Sequence, residues 1–179
     1  MTAKGAGKTL WSVPVRRDDV PESGLHLDLA ADETVRAAVA ALAGVRALPR
    51  FTASFDVMPL GDGLKVTGEI AASVDQTCVV TLEPMTSELH EPIDLVFVAP
   101  GAGAPPDETV ADIEPVGDEM EFLVDGVADL GAAATEFLLL AIDPYPRKPD
   151  AVFEAPPSDD PAAHPFAALA ALKKGPGET

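Results

Sequence analysis

The chain has 179 residues, 47% of them hydrophobic but only 5% aromatic, with 14 Gly and 18 Pro; this supports one domain with a real core and leaves part of the chain as linker or tail. Thirty acidic against 12 basic residues give a net charge of −18, which opposes binding of bare nucleic acid by phosphate neutralisation. A single cysteine, Cys78, and three scattered histidines, His26, His90 and His164, exclude an internal disulfide and supply no four-ligand zinc spacing, so no metal or other cofactor is expected. No apolar run approaches 18 residues and no secretory signal opens the chain, so the expected location is the cytoplasm, without membrane contact.

The charge is sorted along the chain: Met1 to Arg17 carries +4 with no acid, and Pro100 to Glu136 carries −10 with no base. In the basic N-terminal segment, residues 1–24, the run Leu10 to Val15 reads as a candidate edge strand, with Trp11, Val13 and Val15 on one side and Pro14 favouring an edge. Leu25, Leu27 and Leu29 alternate with His26 and Asp28. Asp32 then stands as an N-cap for a helix from Glu33 to about Ala43, with an apolar stripe of Val35, Val39 and Leu42 and a stop at Gly44. From Arg50 the period changes to two: Phe51, Ala53, Phe55 and Val57 share a face, Gly61-Asp62-Gly63 turns the chain, and Leu64, Val66, Ile70, Ala72 and Val74 return. The even-numbered face is expected to continue through Cys78, Val80 and Leu82, with a further strand in Leu89 to Val98.

Pro100 to Gly117 has no apolar period and reads as a flexible acidic loop. Met120, Phe122 and Val124 restore a strand, Asp129 caps, and Gly131 to Ile142 forms a largely buried helix ended by Asp143-Pro144. Tyr145-Pro146-Arg147-Lys148-Pro149 leaves it extended. The tail, residues 150–179, is rich in Pro and Ala and carries a short docking helix over Pro165 to Lys174, with Phe166, Leu169 and Leu172 at three-residue spacing. The expected fold class is α+β, an antiparallel sheet of about five or six strands packed with two main helices, the core domain spanning residues 25–149.

Few motifs carry chemistry. Gly5-Ala6-Gly7-Lys8-Thr9 ends like a phosphate-binding loop but has Thr2 where the first Gly belongs and no chain for the preceding strand. The acids Asp107, Glu108, Asp112, Glu114, Asp118, Glu119 and Glu121 miss calcium-loop spacing and read as a solvated, self-repelling loop. Cys78, in register with Val74 and Val80, reads as a core thiol rather than a nucleophile. Glu136 is the one acid inside an apolar helix, either facing solvent or paired with Arg46, Arg50 or Arg147. No Ser/His/Asp triad or paired-carboxylate spacing is found, so no catalytic residue and no small-molecule substrate are expected.

Asp75-Gln76-Thr77-Cys78-Val79-Val80-Thr81-Leu82-Glu83-Pro84, together with Asp129-Leu130-Gly131 and Glu136 to Pro149, resembles the YceD family, in particular its alphaproteobacterial branch. Leu138 to Arg147 is the most specific part. The resemblance implies a non-enzymatic factor supporting biogenesis of the large ribosomal subunit and accumulation of its 23S RNA. Family genes typically neighbour that of a large-subunit ribosomal protein. Many relatives carry a C-x-x-C pair where this chain has Cys78-Val79-Val80-Thr81, and further cysteines where it has Tyr145 to Pro149; that departure implies no family metal site here.

A chain of charge −18 is expected to engage a basic ribosomal protein or a pre-ribosomal particle more readily than naked RNA. Tyr145, Arg147, Lys148, Glu136, Arg16 and Arg17 are the candidate partner-binding residues, the cations supplying local rRNA contacts. Two other readings stay open: an acidic protein-binding adaptor unrelated to ribosomes, and a small enzyme using Glu136 and Cys78 in one concave pocket.

Overall fold

The computed structural model describes residues 10–99 and 119–153. Gly5 to Thr9, Pro100 to Gly117 and Pro165 to Lys174, with the expectations attached to them, lie outside the described residues. In chain order the elements are β1 (Pro14–Arg16), a 3-10 turn (Arg17–Asp19), β2 (Leu25–Ala30), α1 (Glu33–Ala43), β3 (Ala47–Leu60), β4 (Gly63–Thr77), β5 (Pro84–Val98), β6 (Glu119–Phe122), β7 (Val127–Asp129) and α2 (Leu130–Ala141). The fold is α+β: a five-stranded sheet in the order β2-β3-β4-β5-β6 and a two-stranded sheet of β1 and β7.

The alternation along β3 to β5 sets one face inward. Phe51, Phe55 and Val57 on β3, Leu64, Val66, Ile70 and Val74 on β4, and Ile93, Leu95 and Phe97 on β5 are all buried. On β2, Leu25, Leu27 and Leu29 pack half-buried against the same core. β3 turns into β4 through Gly61 and Asp62, and Gly61 supplies the positive φ of 57° that a tight hairpin needs. α1 and α2 cover the inward face with Val39, Ala40, Leu130, Ala134 and Leu138. Each helix is capped as its sequence predicts: Asp32 accepts from the Val35 N–H at 2.8 Å, Asp129 from the Ala132 N–H at 3.2 Å, and Gly44 closes α1 at φ 67°.

Four expectations need correction. β6 runs parallel to β5, so the sheet is mixed; a parallel neighbour requires a long crossover, and residues 99–118 supply its length. Met120 and Phe122 lie on the expected strand, which ends before Val124; all three point to solvent while Leu123 is buried, the register of β6 with Val96 and Val98 setting Met120 and Phe122 on the outward face. Leu42 is exposed; α1 packs along Val39 and Ala40, and Leu42 falls outside that narrow stripe. β4 stops at Thr77, and residues 78–83 form a turn in which the Leu82 N–H donates to the Cys78 carbonyl at 2.9 Å, with Leu82 exposed at φ 59°; β5 accordingly begins at Pro84 instead of Leu89. α2 is largely buried, as expected, with Glu136 and Leu140 its exposed side chains.

Residues 10–20 belong to the same core. Trp11, Val15 and Val20 are buried, and Trp11 meets Phe51 edge to face with ring centroids 4.8 Å apart. Asp129 fastens this segment to α2: besides capping the helix, its carboxylate accepts from the Ser12 hydroxyl at 2.7 Å and the Val13 N–H at 2.8 Å, and the Leu130 N–H donates to the Val13 carbonyl. The approach needs Gly131, where a Cβ would stand 2.7 Å from the Trp11 carbonyl oxygen. Asp129→Ala removes a cap and leaves the Val13 N–H without its acceptor, so a loss of about 2 to 3 kcal/mol is expected. Urea unfolding followed by the fluorescence of Trp11, the chain's one tryptophan, measures it.

Candidate functional site

The segment leaving α2 is stitched to the turn between β4 and β5. Pro144 cannot continue a helix, and the Asp143 carboxylate accepts the Tyr145 N–H at 2.8 Å, fixing the bend. The buried Gln76 side chain donates to the Asp143 carbonyl at 2.9 Å, and the Val79 N–H donates to the Pro146 carbonyl at 2.9 Å. Lys148 closes the seam twice: its backbone N–H donates to Cys78 Sγ at 3.5 Å and its Nζ reaches Glu83 Oε2 at 2.7 Å. Residues 143–148 are thus a strap held by β4's end and the turn after it, with Asp143, Pro144, Tyr145 and Arg147 exposed, Pro146 buried and Lys148 half-buried.

Cys78 is fully buried, and its sulfur is an acceptor. The Thr81 hydroxyl, with the Lys148 and Thr81 backbone N–H groups, pulls the thiol pKa down to about 6. The Lys148 ammonium likewise holds Glu83 below the usual carboxylate range. Sequence reading places Cys78 in the core correctly but misses this acceptor role; Thr81, three residues on, is the signal that indicates it.

The structure does not bring the six candidate residues together. Tyr145, Arg147 and Lys148 share the strap, but Lys148 is engaged by Glu83. Arg17 lies at the opposite end of β4, where its guanidinium donates to the Gly61 carbonyl at 2.9 Å and pins the β3–β4 turn. The 15-residue length of β4 separates the two ends by roughly 45 Å. Arg16 is exposed beside Arg17. Glu136 is exposed and, among the described residues, pairs with none of Arg46, Arg50 or Arg147; Arg50 instead holds Glu88 at 2.7 Å. Cys78 is buried whereas Glu136 is exposed. A depression of about 330 Å³ lies on the outward sheet face near Thr52 and Glu69, and one of about 410 Å³ lies beside Arg17 and Asp62. Neither is lined by Cys78 or Glu136.

Residues 66–173 match the family described as large ribosomal RNA subunit accumulation protein YceD. The match covers more than half of the chain, from near the start of β4 through the turn, α2 and the strap, and the chain belongs to that family. No curated protein and no solved structure matches it. Among the described residues no helix is long and apolar enough to cross a membrane.

The Cys78 thiol titrates near 6 in the folded chain against 9.0 ordinarily, so the anion is favoured by folding. A depressed folded pKa contributes stability that is present in full above the unfolded value and is lost as pH falls through the folded one. The stability advantage of the wild type over Cys78→Ala is therefore expected to grow between about pH 6 and pH 9, the window those two values bound. Denaturant unfolding of both proteins across that range reads it, and a flat difference would mean that the thiol stays neutral.

Proposed function

We propose that the chain is a non-enzymatic cytoplasmic factor that promotes accumulation of large-subunit ribosomal RNA by binding a basic ribosomal protein or a pre-ribosomal particle. The observation that carries this reading is the family match over residues 66–173. The net charge of −18 supports contact through protein, since an acidic surface steers onto a basic one and repels free phosphate. Tyr145 and Arg147, displayed on a strap already fixed by hydrogen bonds, serve as local contacts to an exposed base or phosphate; a pre-ordered segment loses less entropy on binding.

Sedimentation through a sucrose gradient tests the proposal: the chain should travel with large-subunit precursors, and migration only with free protein would remove the ribosomal reading. Arg147→Glu is expected to leave the thermal midpoint within about a degree or two, as an exposed substitution does, and to reduce co-sedimentation severalfold. Lys148→Glu breaks the ion pair with Glu83 and places two acids together. Its effect on stability is expected to exceed that of Arg147→Glu in the same thermal melt.

A further inference from the structure

The two helices and residues 10–20 pack on the inward face, so the outward face of the five-stranded sheet carries none of them. Its side chains form rows across the strands. One row runs Met58, Lys65, Val96, Met120 from β3 to β6. Beside it, nearer the β3–β4 turn, stand Leu60 on β3 next to Gly63, and Val98 on β5 next to Phe122 on β6. Met58 and Leu60 are 43% and 45% exposed, Met120 and Phe122 74% and 63%, with Val96 and Val98 half-buried between them. The ammonium of Lys65 is paired with Asp94. What remains is an apolar band at one end of the open face.

Acids border the band on its inner side. The next row is His26, Asp56, Thr67, Asp94, and the one beyond it places Asp28 and Glu69 on either side of Ser54. Four carboxylates there face one lysine and one histidine. His26 occupies Asp56 at 2.8 Å and Asp28 at 3.5 Å, and Glu69 is exposed and makes no ion pair among the described residues. Exposed apolar surface with a polar rim, here one in which acids outnumber bases, marks a docking site rather than an ordinary solvated face.

We infer that this band is the docking surface for a basic amphipathic helix of a partner protein, its apolar stripe seated on Met58, Leu60, Val96, Val98, Met120 and Phe122 and its cations against Asp56, Glu69 and Asp94. The inference rests on the proposed protein-binding function and names the surface and the partner's chemistry. Dimensions fit: four strands about 4.8 Å apart make the band about 14 Å long, which is about nine or ten residues of helix at 1.5 Å rise. The acid border chooses the sign of the partner, and it disfavours RNA at this face.

The test uses the full chain with its methionine methyl groups labelled for NMR, and a synthetic helix-forming peptide with leucines on one stripe and lysines elsewhere. The Met58 and Met120 methyl resonances are expected to shift on titration, with Met85, on the inward-pointing parity of β5, unmoved. Leu60→Ser with Phe122→Ser should weaken the peptide at least tenfold. Glu69→Lys, at an exposed position, should weaken it severalfold at low salt and much less at high salt, and it preserves the test if the double variant does not fold.

No shift of either methyl, equal binding of a scrambled peptide, or the same shifts with a single-stranded RNA oligonucleotide would overturn the inference. So would a concentration-dependent shift without peptide, which assigns the band to a second copy, or contacts of Met120 with Phe166 or Leu169 in the free protein, which assign it to the chain's own C-terminal segment. Methyl shifts without co-sedimentation would keep this surface and remove the ribosomal reading. Co-sedimentation without methyl shifts would do the reverse.

Discussion

A sheet that buries one face must send its other face into water, and that constraint governs this molecule. β3, β4 and β5 run for 14, 15 and 15 residues, about 50 Å of strand, while α1 and α2 have 11 and 12 residues and reach only about 17 Å each. Two such helices cannot cover the inward face. The uncovered length is closed by what the chain has left: Trp11, Val15 and Val20 from the N-terminal segment, and Leu123 and Ala128 from the return through β7. Asp129 is the residue at which these pieces meet, because its single carboxylate ends β7, starts α2 and holds Ser12 and Val13.

The same constraint distributes the chemistry. The strap after α2 can be rigid because it lies against the end of β4, where Gln76, Val79 and Cys78 supply donors and an acceptor to its backbone. Cationic groups consequently fall at both ends of a long sheet instead of in one patch: Arg147 at the strap, Arg16 and Arg17 at the β3–β4 turn. The acids on the open face lie between them. On the proposed reading, the acids of the open face oppose a free phosphate, and the apolar band at the β6 edge is the part that a protein partner holds.

Much of the fold was legible because alternation and capping are local signals. Phe51 to Val57, Leu64 to Val74, the Asp32 and Asp129 caps and the Gly44 stop all follow from spacing alone. The misreadings share a cause, since each depended on what a segment packs against. Met120 and Phe122 have the same alternation as a buried strand, and only their register with Val96 and Val98 places them on the outward face. Leu82 continues the even-numbered pattern of β4, yet the turn stitched to the strap takes it out of the sheet. Asp125-Gly126, at φ 53° and 74°, is an Asp-Gly hairpin turn visible in the sequence by its residues, and reading it would have placed β7 and the burial of Leu123. Of the candidate site, Tyr145 and Arg147 are displayed as expected, whereas the pairing of Lys148 with Glu83 depends on two segments far apart in sequence.

The most direct measurement is the ratio of large- to small-subunit ribosomal RNA in cells lacking the chain, complemented with the wild type or with Leu60→Ser and Phe122→Ser together, at matched protein levels. If the chain acts by holding a basic partner on its open sheet face, the ratio falls without it, returns with the wild type and stays low with the double variant. An unchanged ratio in cells lacking the chain would contradict the ribosomal role, and full rescue by the double variant would contradict the role of that face.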